Sequence, residues 1–135
     1  MRFGYSIQRH DFTAEEKKGV PVDEAIRIFE TFDWDAELGK YDKENTEKNC
    51  PPNMGIGNGC NILEDRDAVL LQICVEDQSS VSLMFVFPRK AKLLGLFPVV
   101  KRTEVTVGSF PRNRVPELIQ LLYRLSFEEI VRATK

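Results

Sequence analysis

Histidine, cysteine and closely spaced glycines are where an unfamiliar chain most readily carries chemistry, and this one has a single histidine, three cysteines and one glycine-rich segment. His10 stands beside Asp11. Adjacent side chains diverge, so that pair makes no oriented dyad, and His10 reads as a surface or capping residue. Cys50, Cys60 and Cys74 show no CxxC spacing, and with one histidine they cannot supply the four soft ligands of a structural zinc site. Cys74 lies in an apolar run and reads as a small core residue. An odd number of cysteines without an export signal points to reduced thiols.

The segment Met54-Gly-Ile-Gly-Asn-Gly59 invites a phosphate-binding reading, because glycines let backbone amides approach an anion. Its spacing is wrong. A dinucleotide fingerprint is GxGxxG between a strand and a helix, whereas this is GxGxG after two prolines, and no Lys-Ser/Thr follows to make a Walker loop. Gly55, Gly57 and Asn58 are instead expected in a mobile recognition loop or a structural turn. Asp33 to Glu44 sets oxygens at positions of an EF-hand frame, but Leu38 replaces the turn glycine and Lys40 the apolar eighth residue. The frame therefore reads as a solvated acidic helix face, with Asp33, Asp35, Glu37 and Asp42 available to a partner. No Gly-x-Ser-x-Gly elbow is present. The sequence nominates no catalytic residue, metal or cofactor.

The elements that would position these residues follow from periodicity. Phe3, Tyr5 and Ile7 alternate with small or polar residues, the pattern of a half-buried strand. Thr13-Ala-Glu-Glu16 resembles a capping box and predicts a short helix ended by Gly19. Pro21 opens a second helix with Val22, Ala25, Ile26 and Phe29 on one face, and a further helix is expected from Asp35 towards Glu44. Residues 45–60 read as one long loop, followed by a strand near Asn61 to Glu64. Period-two runs then place Val69, Leu71, Ile73 and Val75, then Val81, Leu83, Phe85 and Phe87, then Thr103, Val105 and Val107 on three core faces. Leu70, Cys74, Met84 and Val86 interrupt the opposite faces, which implies cover there by helices or by a partner, with cover from within the chain expected. Val115, Leu118, Ile119, Leu122 and Leu125 mark a C-terminal helix that breaks and restarts at Ser126, where Leu125 and Ile130 would form a hydrophobic staple. Strands and helices are segregated, so the expected class is α+β. It would be a single domain over residues 1–135, an antiparallel meander of about four strands joined by an N-terminal strand, with N- and C-terminal helices packed on it.

Residues 1–67 carry fifteen acids and nine bases, whereas residues 68–135 carry six acids and ten bases. Arg89, Lys90, Lys92, Lys101, Arg102, Arg112 and Arg114 form a basic run interrupted only by Glu104. A sequence pI near 5.5 argues against a dedicated nucleic-acid domain; the run reads first as a solubilising rim, with an acidic protein surface as the partner it could otherwise meet. No apolar stretch approaches the ~20 residues of a spanning helix, and the start lacks a signal-peptide core, so a cytoplasmic location is expected. The leading expectation is a non-enzymatic protein-binding module of the kind represented by immunity-type inhibitors and chaperones, an analogy of architecture alone. Its contacts would come from Asp33, Asp35, Glu37, Asp42, Gly55, Gly57, Asn58, Arg89, Lys90, Lys92, Arg112 and Arg114. The rival is a ligand or enzyme pocket between sheet and helices, lined by His10, Trp34, Tyr41 and Cys60.

Overall fold

The computed structural model describes residues 2–135, apart from the side chains of residues 91–93. It is α+β, with six antiparallel strands in the order β2-β1-β3-β4-β5-β6 and four helices. The strands are β1 (Gly4–Gln8), β2 (Ala14–Lys17), β3 (Asn53–Gly57), β4 (Leu70–Val75), β5 (Ser80–Leu93) and β6 (Phe97–Pro111). The helices are α1 (Val22–Thr31), α2 (Trp34–Lys40), α3 (Val115–Tyr123) and α4 (Phe127–Ala133). Strands β3 to β6 form the expected meander, and β1 joins it beside β3.

Alternation decides which side each strand buries. Ile7, Met54, Ile56, Leu71, Ile73, Val75, Val81, Leu83, Phe85 and Phe87 join Ala25, Phe29, Trp34, Leu118, Ile119, Leu122 and Ile130 in one core. All four helices contribute to it, so they cover the same face. Trp34 satisfies its indole N–H on the Phe29 carbonyl at 2.8 Å and packs against Phe29 and Phe32. At the other end of the core, Tyr123 of α3 packs its ring at a tilt against Phe3 and donates its hydroxyl to the Val20 carbonyl at 2.7 Å. Burial pushes that phenol up to about 12, assisted by the charge of Glu24.

Three expected local elements are different. Thr13 to Glu16 form no helix: residues 14–17 are the edge strand β2, paired to β1 from Gln8↔Ala14 to Tyr5↔Lys17. The Thr13 hydroxyl is taken by Asp11 Oδ1 at 2.6 Å, and Phe12 turns the chain with φ 67°. With no apolar stripe to bury, a helix there has little to hold it, and pairing with β1 prevails. The strand expected near Asn61 is a turn, because the Asn61 amide donates to the Asp65 carboxylate, the Leu63 amide to Asn61 Oδ1, and the Glu64 and Asp65 amides to the Asn61 carbonyl. Residues 53–57, read as part of the long loop, are β3, in the interior of the sheet between β1 and β4. Its glycines serve close approach. Gly4 and Gly57 face each other across the ladder, and a Cβ on Gly57 would meet the Val69 carbonyl at 2.8 Å.

The chain breaks between α3 and α4 as expected, by different means. Ser126 makes no side-chain cap, and Leu125 is exposed with φ 57°. The Ser126 amide donates to the Leu121 carbonyl and the Leu125 amide to Leu122, a Schellman-type ending in which no staple forms. On the face opposite the helices, Gln8, Asn53 and Gln72 make an amide ladder across β1, β3 and β4. Loop residues Cys60 and Ile62 line a groove there with Leu70, whereas Cys74 and Met84 line a second groove made of strand residues alone, and the helices pack on the other face.

Candidate functional site

Titratable groups converge where α2 meets the connection between β1 and β2. Glu37 is on the inward face of α2, positioned by the Asp33 carboxylate that caps the helix on the Ala36 amide at 3.1 Å. Glu37 is only 4% exposed. One of its oxygens accepts from the His10 backbone amide at 3.2 Å and meets His10 Nδ1 at 2.5 Å. The other lies 3.5 Å from Arg9 and 3.8 Å from Lys40 Nζ. Burial opposes ionisation of this carboxyl, but the hydrogen bonds and charge of His10, with Lys40, hold it below the usual carboxylate range. Arg9 spans the cluster, reaching Glu15 at 2.7 Å and lying over the Phe32 ring.

Glu37 therefore orients the His10 imidazole, the partner that Asp11 could not be. An oriented imidazole is half of a general-base arrangement. The other half is missing: no nucleophile is hydrogen-bonded to His10 among the described residues. Cys50 is close in the chain fold, its amide donating to the His10 carbonyl at 2.8 Å, but its thiol is engaged with the Arg9 carbonyl at 3.2 Å. Burial pushes that thiol up, away from the thiolate a nucleophile needs.

The acidic set separates in the same region. Glu37 is buried and spent, so it offers no free contact to a partner. Asp33 caps α2, Asp35 pairs with Arg112 at 3.0 Å, and Asp42 accepts the Glu44 amide at 2.9 Å. Helix α2 stops at Lys40, short of Asp42, and Asn49 binds the Asp42 and Asn45 backbone to close the following turn. The pocket set separates too. Trp34 is in the core at 1% exposure, Tyr41 ends α2, Cys60 is exposed on the loop over the opposite face, and His10 is committed to Glu37. Gly55 and Gly57 are inside β3, which removes them from any mobile loop, and Asn58 folds onto the Asp67 carbonyl and Val69 amide.

The basic run divides at β6. Arg112 and Arg114 follow its end and are used internally: Arg112 bonds Asp35 and the Asp77 carbonyl, and Arg114 meets Glu117 and the Phe110 ring. Arg89, Lys90, Lys101 and Arg102 lie on a different structure. Strand β4 pairs with β5 only as far as Val86, whereas β5 and β6 stay paired out to Leu93↔Phe97. Beyond Phe87, which packs on Phe127, the two strands form an arm. Six residue pairs at ~3.3 Å rise give it a reach of about 20 Å. Residues 88–103 contain five bases and no acid. Arg89, Lys90, Lys101 and Arg102 form no ion pair with the described residues, and the side chain of Lys92 lies outside them.

The apex of the arm is apolar. Leu94, Leu96 and Phe97 are 86%, 77% and 60% exposed, and Leu94 takes a left-handed φ of 54° that costs a non-glycine residue about 1 kcal/mol. Three large exposed side chains on one turn are a feature the core does not explain. Sequence reading found the bases by counting but missed the apex, because Leu-Gly-Leu-Phe reads equally well as core. Comparison with protein-family models, with curated proteins and with solved structures finds no match for this chain.

Proposed function

We propose that this chain is a non-enzymatic protein-binding module of the cytoplasm, an inhibitor or chaperone of one protein partner, and that the β5–β6 arm is its working surface. The observation that carries this reading is an exposed apolar apex set on a stem of bases without ion-pair partners among the described residues. Apolar anchors bury well in a partner's pocket, and surrounding bases steer a negatively charged surface towards them. The ligand-pocket alternative has less to stand on, since its four residues do not converge and the space between helices and sheet is filled by buried side chains.

The test is a photo-crosslinking residue at Leu96 in the full chain, exposed to lysate of the source cell. The reading expects one dominant protein adduct that weakens with salt and disappears in the Lys101→Glu/Arg102→Glu double variant. No adduct, or one insensitive to that reversal, would remove the arm as the working surface.

A further inference from the structure

The stem of the arm sets two like charges side by side. Arg89 of β5 and Lys101 of β6 are partners across the ladder, so both side chains leave the same face of the ribbon, their Cβ atoms about 5 Å apart. Both are exposed, and neither meets an acid within ion-pair distance among the described residues. Lys101 lines a groove of about 670 Å³ with Glu64, Asp65 and Arg66 of the β3–β4 connection, yet Asp65 accepts the Asn61 amide at 2.7 Å and Glu64 forms no ion pair with the described residues. Directly opposed cations weaken the ladder that carries them. Exposed as they are, these two add nothing to the core that would offset that cost.

Alternation fixes what shares their face. On the body side come Phe87, which packs on Phe127, and its ladder partner Thr103; towards the apex come Val99 and then Phe97, the latter 60% exposed. At ~3.3 Å per residue, Val99 is about 7 Å and Phe97 about 13 Å from Lys101 along the strand. We infer that this face takes a phosphorylated segment of the polypeptide partner, its phosphate between Arg89 and Lys101 and its apolar side chains on Val99 and Phe97. This deepens the reading of the arm as working surface and rests on it. Charge selects the phosphate. A phosphomonoester carries close to two negative charges at pH 7 and three acceptor oxygens, so one group satisfies both cations, with Arg89 able to bind two oxygens at once. Two carboxylates brought within about 5 Å of each other repel, and a single carboxylate leaves one cation unmatched. The diester phosphates of a nucleic acid carry one charge each.

A phosphomonoester lipid is the competing source, since a basic stem with an apolar tip also suits an interface. The backbone favours polypeptide. No strand lies beyond β6, and past Val86 β5 has lost its β4 neighbour, so the outward donors and acceptors of the arm have no ladder partner. Inserting the apex into hydrocarbon would leave those groups unsatisfied, which is costly for each of them.

The experiment titrates the full chain with a synthetic peptide that has a central phosphoserine and leucines two and four residues to either side on a glycine background, so that either chain direction fits. Comparator peptides carry serine or glutamate at the centre, and phosphatidylcholine vesicles containing phosphatidic acid and a duplex oligonucleotide present the other phosphates. The expected result is saturable binding of the phosphopeptide, about tenfold tighter than the glutamate peptide, and none of the serine peptide. Lys101→Gln should weaken that binding about tenfold while the melting temperature stays level or rises, because the opposed cation is gone. Equal binding of the serine or glutamate peptide would overturn the phosphate site. A lower melting temperature in Lys101→Gln would place the lysine in the fold's own stability and overturn its role as a ligand. Binding to vesicles or duplex with none to the phosphopeptide would overturn the polypeptide source. If the phosphopeptide fails while the Leu96 crosslink still captures one protein, the phosphate proposal falls by itself; if both fail, the arm reading falls with it.

Discussion

Around α2 the charged side chains point at one another and at backbone: Glu37 into His10, Arg9 and Lys40, Asp33 into its own helix, Asp35 into Arg112. Along the β5–β6 arm, Arg89, Lys90, Lys101 and Arg102 have no such partners among the described residues, and the apolar groups at the tip face outward. Both regions looked alike as runs of one sign. The difference is in what the local backbone demands. A helix start needs an acceptor for its free amides, and a buried helix face that includes an acid needs donors, so acids near α2 are consumed internally. A hairpin ladder already satisfies its own inward amides and asks nothing of its side chains, which leaves the bases for something else.

If that contrast is right, disturbing α2 should cost stability and disturbing the arm should not. Trp34→Ala removes a fully buried indole and its bond to Phe29, and should destabilise by about 4 kcal/mol in a denaturant melt. Glu37→Gln, which strips the charge that His10, Arg9 and Lys40 converge on, should cost roughly 2 kcal/mol. Because the folded state holds the Glu37 carboxyl below its usual range, this contribution is fully present above the unfolded carboxylate value and is lost as pH falls through the folded one. Melting curves of the wild type should therefore fall more steeply than those of the variant as pH drops through and below the carboxylate range. Parallel curves would mean the cluster is solvated and the contrast with the arm is false. Asp33→Ala, the loss of one helix cap, should cost about 1 kcal/mol.

The smallest effect belongs to the arm. Leu94→Gly relieves a left-handed residue at the price of a more flexible unfolded chain, so stability should rise by about 0.5 kcal/mol or less while the Leu96 crosslink weakens. A clear loss of stability there would place the apex in the fold's own packing and dissolve the distinction.

Much of the architecture was legible because alternation is written residue by residue: Val69 to Val75 and Val81 to Phe87 have no other reading as strands with one buried face. Edge strand β2 was not legible. Its four residues are all exposed, so no hydrophobic period marks it, and Thr13 and Glu16 carried a helix-cap pattern that Asp11 pre-empts. Strand β3 was hidden by its glycines, which look like loop until the close approach of β1 and β4 is known. The His10–Glu37 pair was invisible for a different reason: its members are 27 residues apart, and only the docking of α2 brings them together. The basic stem could be counted from sequence, whereas its separation from Arg112 and Arg114 depended on where β4 stops.

The contact between Tyr123 and both Phe3 and Val20 bears on how the chain folds as it is made. These partners are 103 to 120 positions apart, so the N-terminal strand and the turn after β2 stay open along that flank until α3 has left the ribosome. The β5–β6 hairpin, whose strands meet across a three-residue turn, is complete at Pro111 and can close first. Synthesis thus exposes the arm's apolar apex to solvent while the core is still incomplete, the interval in which a chain is most open to aggregation and to capture by chaperones.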